Sequence, residues 1–273
     1  MIHLQSLSIN KTNAKTHEGF PFSVPVIQSL STLTFPSEVT FFVGENGSGK
    51  STVLEAIAAA AGSIVVGSDS TEHDKTLTKI RGLAKTFKLV WTKKTHTGFF
   101  LRSEDFFGFV KKLASVRESM QQDLAEIDEE YKGRSATARG LARMPYMREL
   151  SEMKRYYGED LDAYSHGESY FTLFKSRFVP NGLYLLDEPE APLSPMRQLI
   201  FLSMLKMMVN QNAQFIISTH SPIILAFPGA TIYSCDGGKI EQVEYESLDH
   251  VVITRTFLNN PSQYLDRLFN EVE

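Results

Sequence analysis

The sequence predicts an α/β fold: a mainly parallel sheet covered by helices, with an N-terminal antiparallel β part and a helical subdomain. Three observations predict it. The apolar run Val39–Val43 leads into Gly44-Glu45-Asn46-Gly47-Ser48-Gly49-Lys50-Ser51, and residues 52–60 follow with helical composition. Two further apolar runs, 182–187 and 213–219, end in polar residues and are separated by a helical stretch at 195–209. Between these halves lies a charged, helical region, residues 105–163. Strands alternating with crossover helices call for a predominantly parallel sheet. The expectation is one domain over residues 1–273, with 105–163 as an inserted helical subdomain.

Taken in order, residues 1–43 are strand-rich. Ile2 to Leu7 alternates apolar with polar, Pro21 and Pro25 punctuate a loop, and residues 30–35 alternate again. Residues 62–80 are small, polar and charged, and are read as a loop with short helical pieces. Residues 87–92 and 97–102 resemble two paired strands joined by 93–96. Phe106, Phe109, Val110, Leu113, Val116 and Met120 then recur at helical spacing. An acidic stretch, 121–132, precedes a basic, loop-like one, 133–143, and helical composition resumes at Tyr146. The apolar spacing is too irregular for a long coiled coil. Arg134, Arg139, Arg143 and Arg148 are candidates for a local anion-binding face. Near the end, residues 231–234 and 239–243 flank Asp236-Gly237-Gly238 as a hairpin, and two closing helices are expected at 250–257 and 262–269.

Composition narrows the class. The chain carries 28 basic and 32 acidic side chains, so any nucleic-acid contact would need a local patch or a dimer. Cys235 is the only cysteine, which excludes an intrachain disulfide or a cysteine-held metal cluster and fits a reducing compartment. No stretch approaches 18 apolar residues and no signal peptide is recognisable. A cytoplasmic protein without membrane insertion is expected.

The chemistry concentrates in four segments. Residues 44–51 fit the phosphate-loop pattern, whose glycines let backbone N–H groups turn toward phosphate oxygens at a helix N-terminus. Asn46, Gly47, Ser48, Gly49, Lys50, Ser51 and Thr52 are the candidate nucleotide-binding residues. Lys50 would reach the terminal phosphates and Ser51 would ligate Mg2+. Asp187, at the end of an apolar strand, is the second candidate metal ligand, and Glu188 could polarise an attacking water. His220 follows another buried strand and could donate a hydrogen bond to the terminal phosphate. The fourth segment is Tyr164-Ser165-His166-Gly167-Glu168, where a serine hydroxyl and a glycine N–H at a helix start suit an anion. The plainer reading of that segment is a helix cap and a turn.

These four segments in this order resemble the ATP-binding-cassette ATPase superfamily, particularly its non-transporter, SMC-like branch and its small stand-alone bacterial ATPases. Ser165 stands 22 residues before Asp187, and His220 stands 33 after it, a separation similar to that family's. The resemblance spans most of residues 25–235. It implies a composite site: ATP on the phosphate loop of one subunit, contacted by Ser165, Gly167 and Glu168 of another. A homodimer on ATP binding follows from that implication. Three departures stand out. His166 occupies a usual glycine position, Glu104 or Arg102 lies where a glutamine is usual, and residues 191–195 lack a common aspartate. Phe20 and Phe22 are candidates for stacking on adenine.

The resulting expectation is an ATPase, with Lys50, Glu188 and His220 catalytic and ATP and Mg2+ as cofactors, whose dimerisation changes the binding of a partner. DNA and a separately encoded effector protein, such as a toxin or nuclease, are the partners left open. The alternative is an ATP-gated binding module with little turnover of its own. A transporter motor is disfavoured because no membrane segment is attached, and a nuclease because no second metal cluster is visible.

Overall fold

Phe41 and Phe42 are neighbours on one strand, yet each is fully buried in a different hydrophobic core. A β-strand sends successive side chains to opposite faces, so this strand must be covered on both sides. In the computed structural model, which describes residues 1–10, 19–66, 78–157 and 166–270, it is β3 (Val39–Val43). The elements before it are β1 (Leu4–Ile9), α1 (Pro25–Ser29) and β2 (Thr32–Thr34). After it come α2 (Lys50–Ala61), α3 (Thr78–Ala84), β4 (Phe87–Trp91), β5 (Gly98–Arg102), α4 (Ser103–Glu130) and α5 (Ala136–Tyr157). The chain continues through α6 (His166–Arg177), β6 (Leu183–Asp187), α7 (Pro195–Asn210), β7 (Gln214–Ser218) and α8 (Pro222–Leu225). It closes with β8 (Thr231–Ser234), β9 (Glu241–Val243), α9 (Asp249–Asn259) and α10 (Pro261–Asn270).

Among the described residues, six strands form the central sheet in the order β5-β6-β7-β3-β8-β9, parallel throughout except for the antiparallel edge pair β8–β9. β3, β6 and β7 are buried along their whole length, as a sheet with both faces covered requires. One face packs Phe41, Tyr184, Leu186, Phe215 and Ile217 against Tyr170 and Phe174 of α6 and Phe201 and Leu205 of α7. The other packs Phe42, Phe100, Leu185 and Ile216 against Val53, Leu54 and Ile57 of α2 and against β1. Each such side chain contributes on the order of 1.5–3 kcal/mol through burial. The α/β class, the mainly parallel sheet and the separate N-terminal antiparallel part agree with the sequence reading.

The expected pairing of residues 87–92 with 97–102 does not occur. β4 instead joins β1 and β2 in a three-stranded antiparallel sheet, with Leu7 opposite Leu89, while β5 pairs parallel to β6, with Phe100 opposite Leu185. Burial explains the separation. β4 alternates half-buried with exposed residues, which suits a sheet open to water on one side. Phe99, Phe100, Leu101 and Arg102 of β5 are all buried and need cover on both faces. Gln214 holds the two sheets together: its side-chain oxygen accepts the N–H groups of His3 and Leu4 at 2.9 and 2.8 Å, and its amide donates to the Leu4 carbonyl at 2.9 Å.

Helices α4 and α5 run for 28 and 22 residues. Most of the stretch expected to be loop-like, 133–143, is therefore helix from Ala136 onward. The four arginines proposed for an anion-binding face have other partners. Arg143 and Arg139 turn to Asp128 on α4, Arg148 pairs with Glu152 at 3.4 Å, and Arg134 lies over the Tyr131 ring at 4.7 Å. Arg139 and Arg143 are thus met by a carboxylate of the facing helix, Arg148 by one of its own helix and Arg134 by an aromatic ring. Among the described residues, no helix is long and apolar enough to cross a membrane.

Candidate active site

β3 runs straight into the phosphate loop, and α2 begins at Lys50. The loop is tight at two glycines. Gly44 has φ +139°, and a Cβ there would stand 2.8 Å from Asp236 Oδ1. Gly49 has φ +99°, and its Cβ would stand 2.5 Å from Val26 Cγ2 and 2.7 Å from Val24 Cγ1. Backbone conformation and space both demand glycine. Asn46 and Gly47 lie exposed at the loop tip, and Ser51 and Thr52 occupy the first turn of α2. Lys50 is buried, and its ammonium donates to the Gly44 and Glu45 carbonyls at 2.7 and 3.0 Å. Asp236, in the short turn after β8, accepts the Glu45 N–H at 2.8 Å and so braces the loop from outside.

Asp187 ends β6, level with Arg102 on β5 and Ser218 on β7. Burial pushes its carboxyl above the usual range, while the Ser51 and Ser218 hydroxyls and the Lys50 charge act in the opposite direction. Its Oδ1 and the Ser218 Oγ are both buried without a hydrogen-bond partner. Glu188, next along, takes a left-handed backbone with φ +50°, uncommon outside glycine. Its N–H donates to the Ser218 carbonyl at 2.9 Å, and the Ser103 hydroxyl donates to its carbonyl. The His220 ring Nε2 stands 3.7 Å from Glu188 Oε1. Burial, then Lys50, lowers the His220 pKa, against the opposing pull of Glu188 and Asp236. The net direction favours the neutral imidazole.

The residues fit a magnesium nucleotide. Asp187 Oδ1 and Ser48 Oγ are buried oxygens without partners, and the Ser51 hydroxyl lies near enough to Asp187 to favour its charged form. Among the described residues there is no cluster of three metal-binding side chains. Magnesium held through phosphates needs only one or two protein oxygens.

Lys50, Ser51, Asp187, Glu188 and His220 all sit at the C-terminal ends of β3, β6 and β7 or just beyond them. Ser165 lies outside the described residues. Gly167 and Glu168 belong to the first turn of α6, one turn before the buried Tyr170. Phe20 is exposed, whereas Phe22 packs partly buried against the core beneath α2. Sequence reasoning missed several neighbours. Glu55 of α2 pairs with Arg102 at 3.2 Å, Ser103 touches the backbone at Asp187 and Glu188, and Glu190 binds the backbone of His220. Arg102 lies near the position of a usual glutamine, and Glu190 is a carboxylate two residues past Glu188 in a proline turn. Asp236 was read solely as a turn residue.

A family model described as an AAA domain matches residues 25–106, which contain the phosphate loop. No curated protein matches the sequence. Among solved structures, one similar chain is CbiO1 of Clostridium perfringens, part of the ABC transporter complex CbiONQ. It is 13% identical with a TM-score of 0.49, and the match covers 96% of this chain and 97% of that one. Another is the Smc head domain of Pyrococcus furiosus, with an extended coiled coil and bound to the C-terminal domain of ScpA. That match has 14% identity, a TM-score of 0.46 and coverage of 96% and 100%. The SMC head domain of Thermotoga maritima is 18% identical, with a TM-score of 0.43 and coverage of 89% and 100%.

Proposed function

We propose that this chain binds magnesium ATP and hydrolyses it to ADP and phosphate in a site completed by a second copy. The observation that carries this reading is the convergence of Lys50, Asp187, Glu188 and His220 at one end of the parallel sheet. Lys50 exchanges its two loop carbonyls for β- and γ-phosphate oxygens, and backbone N–H groups of residues 46–52 hold the rest. Ser51 and Asp187 hold magnesium, which supplies neutralisation of charge on the phosphate oxygens when bound. Glu188 orients and polarises water for in-line attack. Neutral His220 donates a hydrogen bond toward the terminal phosphate. Ser165, Gly167 and Glu168 approach that phosphate from the other subunit.

Helices α4 and α5 form the helical subdomain in this reading, and its movement with dimerisation alters a partner's binding. Exposed apolar side chains on the last two helices, Leu258, Leu268 and Phe269 among them, support action on a partner, either a DNA-bound complex or a separate effector. The test is turnover of the Lys50→Ala protein. Hydrolysis should fall at least about a hundredfold, as loss of a phosphate-stabilising charge predicts. Undiminished hydrolysis by the pure variant would sink the site assignment.

A further inference from the structure

We propose that Glu190 is a positioning residue of this site: it fixes the backbone at His220 and thereby the placement of the imidazole beside Glu188. The proposal rests on the ATPase reading above. The turn after β6 is closed by two hydrogen bonds, Ala191 N–H to the Glu188 carbonyl at 3.1 Å and Leu193 N–H to the Glu190 carbonyl at 2.7 Å. That turn sends the Glu190 side chain across to the exit of β7. There its Oε1 accepts the N–H of His220 at 2.6 Å. A second link, from Glu188 N–H to the Ser218 carbonyl at 2.9 Å, joins the same two strand ends.

On its far side His220 is held independently. The Ser221 hydroxyl accepts the Ile224 N–H at 3.1 Å and caps α8, and Tyr245 donates to the Pro222 carbonyl at 3.0 Å. His220 thus lies between an anchored helix and the Glu190 clamp. Among the described residues, the His220 Nε2 is buried without a hydrogen-bond partner, and Glu188 stands 3.7 Å away. The backbone at His220 therefore fixes the Cα–Cβ bond from which the imidazole extends beside Glu188.

Glu190 Oε2 is likewise buried and unpartnered. One oxygen of the group does the holding, and the position needs an acceptor and not a negative charge. Burial, the largest influence on this carboxyl, favours its neutral form, against the opposing influence of the Thr219 hydroxyl and the His220 N–H. Glutamine keeps the acceptor at the same reach. Methionine fills the space and removes it.

The experiment compares wild type, Glu190→Gln, Glu190→Met and Glu190→Ala as full chains. It reads kcat and KM for magnesium ATP and the ring resonances of His220, assigned by their loss in His220→Ala. Met and Ala remove the acceptor that holds this backbone in place, and misplacement of the imidazole should lower kcat by about ten- to a hundredfold with KM little changed. Both should shift the His220 resonances, and Gln should recover most of kcat and the wild-type resonances. Unmoved His220 resonances in Met and Ala would overturn the proposal, as would a loss in Gln as deep as that in Met. If Ala fails to fold, the Gln–Met comparison decides alone. The resonances need no turnover, so a protein that hydrolyses no ATP refutes the ATPase reading while Glu190 is still tested.

Discussion

Glu55 lies on α2 where that helix passes the end of β5, with Arg102 3.2 Å from its carboxylate. Burial outweighs the guanidinium and lifts the Glu55 pKa from 4.5 to about 7. The folded protein therefore holds more protons than the unfolded chain between those values, and this group's contribution to stability declines as pH rises through 4.5 to 7. In the nucleotide-free protein, Glu55→Gln should flatten the stability–pH curve across that window, as urea denaturation at a series of pH values would read. An unchanged slope would contradict the raised value. Lys50, Asp187 and His220 were legible because each follows a recognisable apolar run or glycine pattern. The pairing of Glu55 with Arg102 was not, because the two are 47 residues apart and only the parallel register of β5 and β6 brings the arginine beside the site.

At the scale of elements, the phosphate loop is shaped by what surrounds it. Val24 and Val26 close on Gly49 from beneath, and Asp236 braces the Glu45 N–H from the β8 turn. Gly49→Ala puts a methyl inside van der Waals contact in a left-handed backbone, a strain of about 1–3 kcal/mol. The variant should lose that much stability by denaturant titration and bind magnesium ATP far more weakly. Wild-type affinity would mean that the loop does not need this geometry. The strand–loop–helix order was legible from residues 39–60, as were the closing hairpin and the last two helices. The fate of β4 and β5 was not. Four residues separate the two expected strands at 93–96, a length that suits a hairpin, yet the contrast between a half-exposed and a buried strand sends them to different sheets. Helix from Ala136 was missed because its basic side chains carry no apolar period; their partner is Asp128 on the facing helix.

The whole molecule is two cores on either side of one sheet, with the phosphate loop, the β6 carboxylates and the histidine loop gathered at a single end. The mainly parallel α/β class was readable from the alternation of apolar runs and helices. The bracing of that end by Asp236, Ser103 and Glu190 was not, since it depends on which strands become neighbours. Glu188 is the residue through which the composite-site reading is best tested. Its replacement by glutamine keeps shape and hydrogen bonding but removes the charge that would polarise water, so an ATP-bound dimer should persist. The decisive measurement is the mass of Glu188→Gln by light scattering, without nucleotide, with magnesium ATP, and with duplex DNA added. The account predicts a doubling from 30.7 kDa only when magnesium ATP is present. A monomer in every sample, with ATP binding confirmed separately, would contradict it.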